Sequence, residues 1–456
     1  MKDEQAALRW LFGFTDWERG IGWGNRSSPD LSWNLGRTRW LLDAVGNPDR
    51  DVPVVLIAGT KGKGSTAALI ESIVRASGKR TVLYTQPHLQ NYRERIRLDG
   101  APITAKDFAE LTNRFREPVD RFLKIEPEAG EPTTYEITTA MAMLAASDHQ
   151  ADLAVIEVGL GGRLDATNCL DPAVSVLTRV SYDHTQILGP TLGAITREKV
   201  AIARPNRPLI SAPQRPAAQR AMVRAAREIG ARYRVVPPMM AVGRSTPPTR
   251  GTQRVSGMVL NQRFESELAL LGEHQRENAA VAIAACEALA GAGAITLEVK
   301  QVEEGLSTVV WPGRLETMPG SPRIVLDGAH NGESAERLVC ALRESFMFDR
   351  LILVLGILRD KDARTMLRSL LPAADTVIVT RSMSPRALEP SVLADLSQRA
   401  HRDVRSALTV SDALRLARAL AKHNDLICVT GSLTIVGEAR AILLPQEDPH
   451  PYGLRP

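Results

Sequence analysis

Short β-branched runs that alternate with amphipathic stretches constrain this chain more than any other feature. "VPVVLIAG" (52–59) is bounded by Pro and Gly and predicts a buried parallel strand. "STAALIESIVRAS" (65–77) has apolar residues at helical spacing and stops at Gly78. "TVLYT" (81–85), "ADLAVIEVG" (151–159) and "AVSVLT" (173–178) predict further strands, with helices near 105–124, 135–147 and 191–203. This is the alternation of a doubly wound, mostly parallel α/β sheet. Between Arg244 and Leu271 the pattern changes to short antiparallel strands, preceded by the loop "STPPTRG". Helices return from about 276 to 308, and "WPGR" (311–314) reads as a hinge. Alternation then restarts with "RIVLDG", "LILVLG", "TVIVT" and "LICVTG", which predicts a second, Rossmann-like α/β domain.

The 456 residues are 44% hydrophobic and 24% charged, enough for a large core. Aromatics make up only 4%, which argues against a stacking platform for single-stranded nucleic acid. The net charge of +5 is scattered, without a block of five or six like charges, so a nucleic-acid arm is not expected. An excess of this kind suits an anionic small substrate. The four cysteines (Cys169, Cys286, Cys340, Cys428) are far apart and form no CxxC, which predicts small buried residues in a reducing compartment. No signal-peptide pattern is present and no apolar run approaches a membrane span, so a cytoplasmic protein with no membrane partner is expected.

"IAGTKGKGSTAAL", from Ile57, joins the first strand to its helix. Successive backbone N–H groups and a helix N-terminus make an anion cradle there, and Lys63 can reach phosphates. The standard pattern G-x-x-x-x-G-K-[ST] is missed: Gly64 follows Lys63 before Ser65, and Ile57 stands where the first glycine belongs.

Glu157 in "VIEVGLGGRLDATN" (155–168) falls near the carboxyl end of a central strand, where ligands bind in open α/β sheets. A carboxylate there can hold Mg²⁺; the alternative is a Glu paired with Arg163. In "SYDHTQILG" (181–189), His184 is either a metal ligand or a satisfied hydrogen-bonding histidine. Lys199, on a helix, reads by itself as a solvated charge. Asn278 in "GEHQRENAAVAIAAC" (272–286) opens a helix and either reads an adenine edge or caps. "DGAHNGESAERL" (327–338) puts Asp327, His330 and Asn331 at the binding edge of the second sheet. An edge in each domain, joined by a hinge, predicts a cleft that closes.

Eleven stretches in order, "AGTKGKGST", "YTQPHLQNYRERIRLDG", "TTYEITTAMA", "IEVGLGGRLDATN", "DHTQILG", "REKVAIARP", "GEHQRENA", "WPGR", "LDGAHN", "GILRDKD" and "TGSLTIVGE", resemble the folylpolyglutamate synthase/dihydrofolate synthase family of the Mur ligase superfamily. They cover about residues 34 to 440. The resemblance implies an N-terminal P-loop-type ATPase domain with a mostly parallel sheet (1–308), a hinge (309–316) and a C-terminal Rossmann-like α/β ligase domain (317–456). It implies ATP-dependent ligation of L-glutamate to a folate or dihydropteroate through an acyl phosphate, by a monomer.

Carried over by position, the resemblance implies that Gly59, Thr60, Lys61, Gly62, Lys63, Gly64 and Ser65 bind ATP phosphates, and that Asn278, Arg314 and Asp327 contact the nucleotide. Glu157, His184 and Gln86 would be ligands of one or two Mg²⁺ ions, with K⁺ as a further cation. Lys199 would be carbamylated and catalytic beside Lys63 and His330; His330 and Ser432 would line the glutamate side. The pterin side would comprise Asn34, Leu35, Gly36 and Arg37, Thr134, Tyr135, Glu136 and Ile137, and Leu164, Asp165 and Ala166. The chain departs from the family pattern at Lys61, usually Asn; at Gln86, where "QPH" replaces "SPH"; and at "NLGRTR". The Lys61 ammonium would tighten phosphate contact or engage an acidic neighbour. Alternatives are a ligase acting on a UDP-linked muropeptide, disfavoured because no further domain precedes Gly59, and a nucleotide-binding protein that has lost ligation.

Overall fold

A computed structural model describes residues 3–16, 33–242, 251–401 and 403–444. In chain order the strands are β1 (Val54–Ala58), β2 (Thr81–Tyr84), β3 (Ile96–Leu98), β4 (Ala101–Pro102), β5 (Leu153–Glu157), β6 (Val174–Leu177), β7 (Pro208–Ser211) and β8 (Arg232–Val235). There follow β9 (Met240–Ala241), β10 (Gln253–Val259), β11 (Gln262–Leu268), β12 (Glu316–Met318), β13 (Arg323–Leu326), β14 (Leu351–Leu355), β15 (Thr376–Val379), β16 (Val404–Ser406) and β17 (Leu426–Thr430).

The first eight strands form one sheet in the order β4-β3-β2-β5-β1-β6-β7-β8. The β2–β3 and β3–β4 pairings are antiparallel and the others parallel; β1 lies inside the sheet, with Ile57 beside Glu157 of β5 and Val176 of β6. Both faces are covered. Val54, Leu56 and Ala58 enter a core with Phe108, Phe115 and Met141 on one side. Val55 and Ile57 enter another with Ile70, Ile73 and Val302 on the other side. This is the period-two division of a strand buried on both faces, which is why its sequence is continuously apolar.

The stretch after Arg244 is read partly from residues outside the described ones; the rest forms an antiparallel sheet, β11-β10-β9. The last sheet runs β12-β13-β17-β14-β15-β16, parallel apart from β12. It too divides its side chains: Leu353 and Leu355 pack with Val325 and Leu342, whereas Ile352 and Val354 pack with Val436 and Leu414. The cysteine expectation needs correction. Cys286 and Cys428 are buried, but Cys340 is exposed and Cys169 only partly covered; all four are free. Among the described residues no helix is long and apolar enough to cross a membrane.

Candidate active site

The carboxyl ends of β1, β5 and β6 converge on one place. β1 leaves its sheet at Gly59 and re-enters regular structure as the helix Lys63–Ala76. Gly62 has φ of +89°, and a Cβ on it would lie 2.4 Å from Asn278 Oδ1. A side chain is thus barred twice, by backbone conformation and by contact. At Gly64 a Cβ would meet Trp311 Cζ2 at 2.9 Å and Glu157 Oε2 at 3.3 Å.

The loop's amides do not all face a ligand. Thr60 N and Lys61 N donate to Arg179 O at 2.9 and 3.2 Å, and Thr60 Oγ1 exchanges hydrogen bonds with the Ser181 backbone. The Thr60 and Lys61 amides are thus engaged within the protein, whereas the amides of the first helical turn, from Lys63, have no intrahelical acceptors.

Lys63 Nζ stands 3.6 Å from Glu157 Oε1. Glu157 is buried at the end of β5 and also accepts from Gln86 N at 3.2 Å. Burial pushes its carboxyl above the usual range, against the opposing pull of Lys63. Arg163, the alternative partner, pairs instead with Glu198 at 3.0 Å. Gln86 Nε2 donates to Tyr135 Oη at 3.2 Å. Tyr135 in turn donates to Asp165 Oδ1 at 2.9 Å and accepts from Gly159 N at 3.0 Å. Asp165 also accepts from Leu160 N and Thr167. Its oxygens are committed to holding the 159–168 loop in shape.

Lys61 has an acidic neighbour: its ammonium lies 3.6 Å from Asp183 Oδ2. Burial lowers the Lys61 pKa, Asp183 opposes that, and Lys63, Glu333 and Lys361 also act on it. His184 has φ of +48°, is about half exposed, and its Nε2 is 3.7 Å from Asp183 Oδ1. Lys199 is not a solvated charge: it is 5% exposed, and burial followed by repulsion from Lys63 brings its pKa to about 7. The packing of Gly162 on the Glu198 and Lys199 carbonyls seats that helix against the glycine loop.

The second sheet contributes the end of β13. Asp327 accepts from Leu315 N at 3.0 Å and Ala329 N at 2.9 Å; burial raises its pKa and Arg314 opposes the rise. His330 Nδ1 is 2.9 Å from Gly328 O, so Nδ1 carries the proton and Nε2 keeps its lone pair. Burial, with Lys61 the next cause, lowers this histidine to about 3, so the imidazole is neutral at neutral pH. Lys61 follows a strand of the first sheet and His330 a strand of the second; Lys61 acts on His330, and Glu333 and Lys361 of the second unit act on Lys61, so the two edges lie near one another.

Other expected residues turn elsewhere. Asn278 donates to Gln275 Oε1 at 2.8 Å and packs on Gly62. Ser432 caps the helix Leu433–Leu443 and donates to Gly356 O at 3.0 Å. Arg37 and Glu136 form a buried two-point pair at 2.8 and 2.9 Å. Thr134 Oγ1 donates to Leu11 O, and Ile137 and Ala166 are core. Leu35 and Gly36 are on the helix Trp33–Ala44, and the Asn34 side chain lies outside the described residues. Leu164 lies in the loop braced by Asp165. Sequence reasoning missed Asp183, Trp311 and the Arg179–Glu277 pair (3.1 Å), which ties the strand beside the loop to the helix Glu273–Gly291. The signal for Asp183 was its place directly before His184, in the loop that follows β6.

One feature suits this cleft to a polar ligand: the hydroxyls of Thr66 and Ser181 are buried beside the loop without hydrogen-bond partners. Removing charge from Glu157 should be far more damaging than removing Gln86. Glu157→Gln leaves Lys63 without its anion, at about 3–5 kcal/mol for a broken buried pair, against about 1 kcal/mol for the neutral Gln86→Ala. Thermal melts and turnover of both variants check this; equal losses would show the assignment to be wrong.

The Mur ligase middle domain pattern matches residues 57–286, and the Mur ligase glutamate ligase domain pattern matches 313–433. A dihydrofolate synthase/folylpolyglutamate synthase of Mycobacterium tuberculosis is 36% identical over 445 residues, covering 90% of each chain. The crystal structure of a Mycobacterium tuberculosis folylpolyglutamate synthase complexed with ADP and AMPPCP superposes with a TM-score of 0.85 at 31% identity, covering 97% of this chain and 100% of that one. An FPGS–AMPPCP–folate complex superposes at 0.81 with 28% identity, again covering 97% and 100%. The chain belongs to the folylpolyglutamate synthase/dihydrofolate synthase family of the Mur ligase superfamily.

Proposed function

We propose that this chain uses ATP to join L-glutamate to a folate, a dihydropteroate, or both, acting as a cytoplasmic monomer on small molecules. The observation that carries the reading is the Gly62–Ser65 cradle with Lys63 against Glu157, faced by the Asp327–His330 edge of the second sheet. A carboxylate is a poor electrophile until one oxygen becomes a leaving group. Transfer of the ATP γ-phosphoryl group makes it an acyl phosphate; the glutamate amine then attacks the carbonyl carbon, and inorganic phosphate leaves. Such a reaction needs positioning and charge neutralisation more than covalent help.

Lys63 and the first-turn amides hold the phosphates and oppose the charge that develops on them. His330, neutral with a free Nε2, accepts a hydrogen bond from the incoming amine and helps orient it. Arg314 and Asp327 fix the segment 309–316, the hinge of this reading, against the nucleotide. On the pterin side, Tyr135 and Leu164 are the residues of the two stretches that would face a ligand, with Thr134, Glu136, Ile137, Asp165 and Ala166 supporting them from within.

Among the described residues no three His, Cys, Asp or Glu side chains gather closely enough to hold a metal by themselves. Mg²⁺ does not require it, since it keeps waters and takes one or two carboxylates plus substrate phosphates. Glu157 is the hard oxygen donor that fits, with Gln86 and His184 on the flanking loops. When bound, the ion would neutralise the phosphates and polarise the transferred group. Lys199, whose pKa is brought to about 7, is poised to take up CO₂ as a carbamate: the ammonium gives up one proton to free the amine and a second as the N–C bond forms, so a positive charge is exchanged for a negative one.

The reading is tested with purified protein, ATP, Mg²⁺ and L-glutamate, supplied separately with dihydropteroate and tetrahydrofolate. Phosphate release that requires both glutamate and one of the pterins is expected. Release independent of glutamate would favour the ligation-inactive alternative.

A further inference from the structure

Arg97, on β3, is an uncommon cation. The residue is half-buried with its Nε fully covered, and among the described residues no carboxylate lies within ion-pair distance of it. Its Nε has no hydrogen-bond partner, and Nη1 makes one long bond, 3.3 Å, to Gly100 O. Burying a cation is ordinarily offset by an anion. Here Glu94 and Glu71 help only from a distance, and Arg440 opposes them.

What Arg97 has instead is a ring face. Its Cζ lies 5.6 Å from the centroid of Trp311. Trp311 opens the connection between the two large sheets and packs on the core formed by Ile70, Ile73 and their neighbours. Its far edge reaches the phosphate-type loop: Cζ2 stands 2.9 Å from where a Cβ on Gly64 would be, beside Glu157 Oε2. The side chains therefore run in an unbroken row, Arg97 to Trp311 to Gly64, and end where Lys63 meets Glu157.

We propose that Trp311, held in place by Arg97, is a positioning residue for the Gly62–Ser65 cradle. The indole fills the space that the missing Gly64 side chain leaves and fixes the first turn of the helix Lys63–Ala76, so that the Lys63 ammonium and the loop amides face one point. Arg97 acts only through the ring. Because Trp311 belongs to the connection between the sheets, any shift of the second sheet that moves this connection is felt at the cradle. The inference rests on the nucleotide reading above for its ligand.

The test is AMPPCP binding by titration calorimetry, with no folate or glutamate present, on the parent, Trp311→Ala, Trp311→Phe, Arg97→Met and the Trp311→Ala/Arg97→Met double variant. Methionine keeps the buried stem and removes the charge. Trp311→Ala and Arg97→Met should each weaken binding by ~3- to 30-fold, the span of cation–π energies. Trp311→Phe should stay within ~3-fold of the parent, because a ring still covers Gly64. The double variant should be no weaker than Trp311→Ala by more than ~2-fold, since Arg97 has nothing left to act through. If Trp311→Ala fails to melt cooperatively, the same cycle is run with Trp311→Phe and Arg97→Met, where the Arg97 effect must persist. Additive losses, or single variants that bind as the parent does, overturn the proposal. A parent that does not bind AMPPCP overturns the nucleotide reading and this proposal together.

Discussion

Lys63→Ala is expected to abolish phosphate release while the fold survives. Lys63 is at the start of a surface loop's helix, so little core is lost, but the cradle loses the cation that stands 3.6 Å from Glu157. The loss should exceed ~100-fold in kcat, the scale seen when one preorganised charge-stabilising group is removed. The variant also has a pH signature. Burial already raises Glu157 above its ordinary value, and Lys63 is the main group opposing it. Without Lys63 the folded-state pKa rises further, so the stability deficit is small below the ordinary carboxylate pKa and grows as pH rises through the folded value. Melting temperature measured from about pH 5 to about pH 8 should fall more steeply for Lys63→Ala than for the parent. Near-parental turnover would remove the loop from the mechanism.

Lys199→Ala should be nearly inactive as well, for a different reason. An ammonium there would add charge beside Lys63 and Lys61, which Coulomb repulsion at short range disfavours. With a pKa of about 7, the amine is increasingly neutral above that pH, and a neutral amine reacts with CO₂. Activity should therefore rise with bicarbonate and with pH through about 7, and a small added carboxylic acid should restore part of the Lys199→Ala rate. A ¹³C-labelled bicarbonate NMR signal lost in that variant identifies the carbamate directly. A Lys199→Ala variant that turns over at the parent rate without bicarbonate or acid would contradict this reading.

Local order was largely legible in the sequence. The strands at 54–58 and 153–157 are continuous apolar runs because both faces of the sheet are covered, and the helix at 63–76 follows from its apolar spacing and its glycine start. What stayed hidden depends on pairs distant in the chain. Lys61 reads equally as a phosphate contact or an ion-pair partner until Asp183, 122 positions on, is placed 3.6 Å away. Lys199 reads as solvated because nothing in a helical repeat shows that its side chain will be buried near Lys63, Asp183 and Asp165, residues distant in the chain. Arg37 and Glu136 read as ligand contacts, whereas 99 positions of intervening chain bring them into a buried pair. Tyr135 gathers Gln86 from one segment and Gly159 and Asp165 from another, which no spacing encodes.

The central claim is that ATP cleavage here is tied to amide formation with glutamate. Its most direct measurement follows inorganic phosphate and the pterin product together in one reaction of purified protein with ATP, Mg²⁺, L-glutamate and either dihydropteroate or tetrahydrofolate. The account predicts one phosphate released per glutamate added, with product mass increased by one glutamyl residue, and neither signal when glutamate is omitted. Phosphate released at the same rate without glutamate, or a product of unchanged mass, would contradict it.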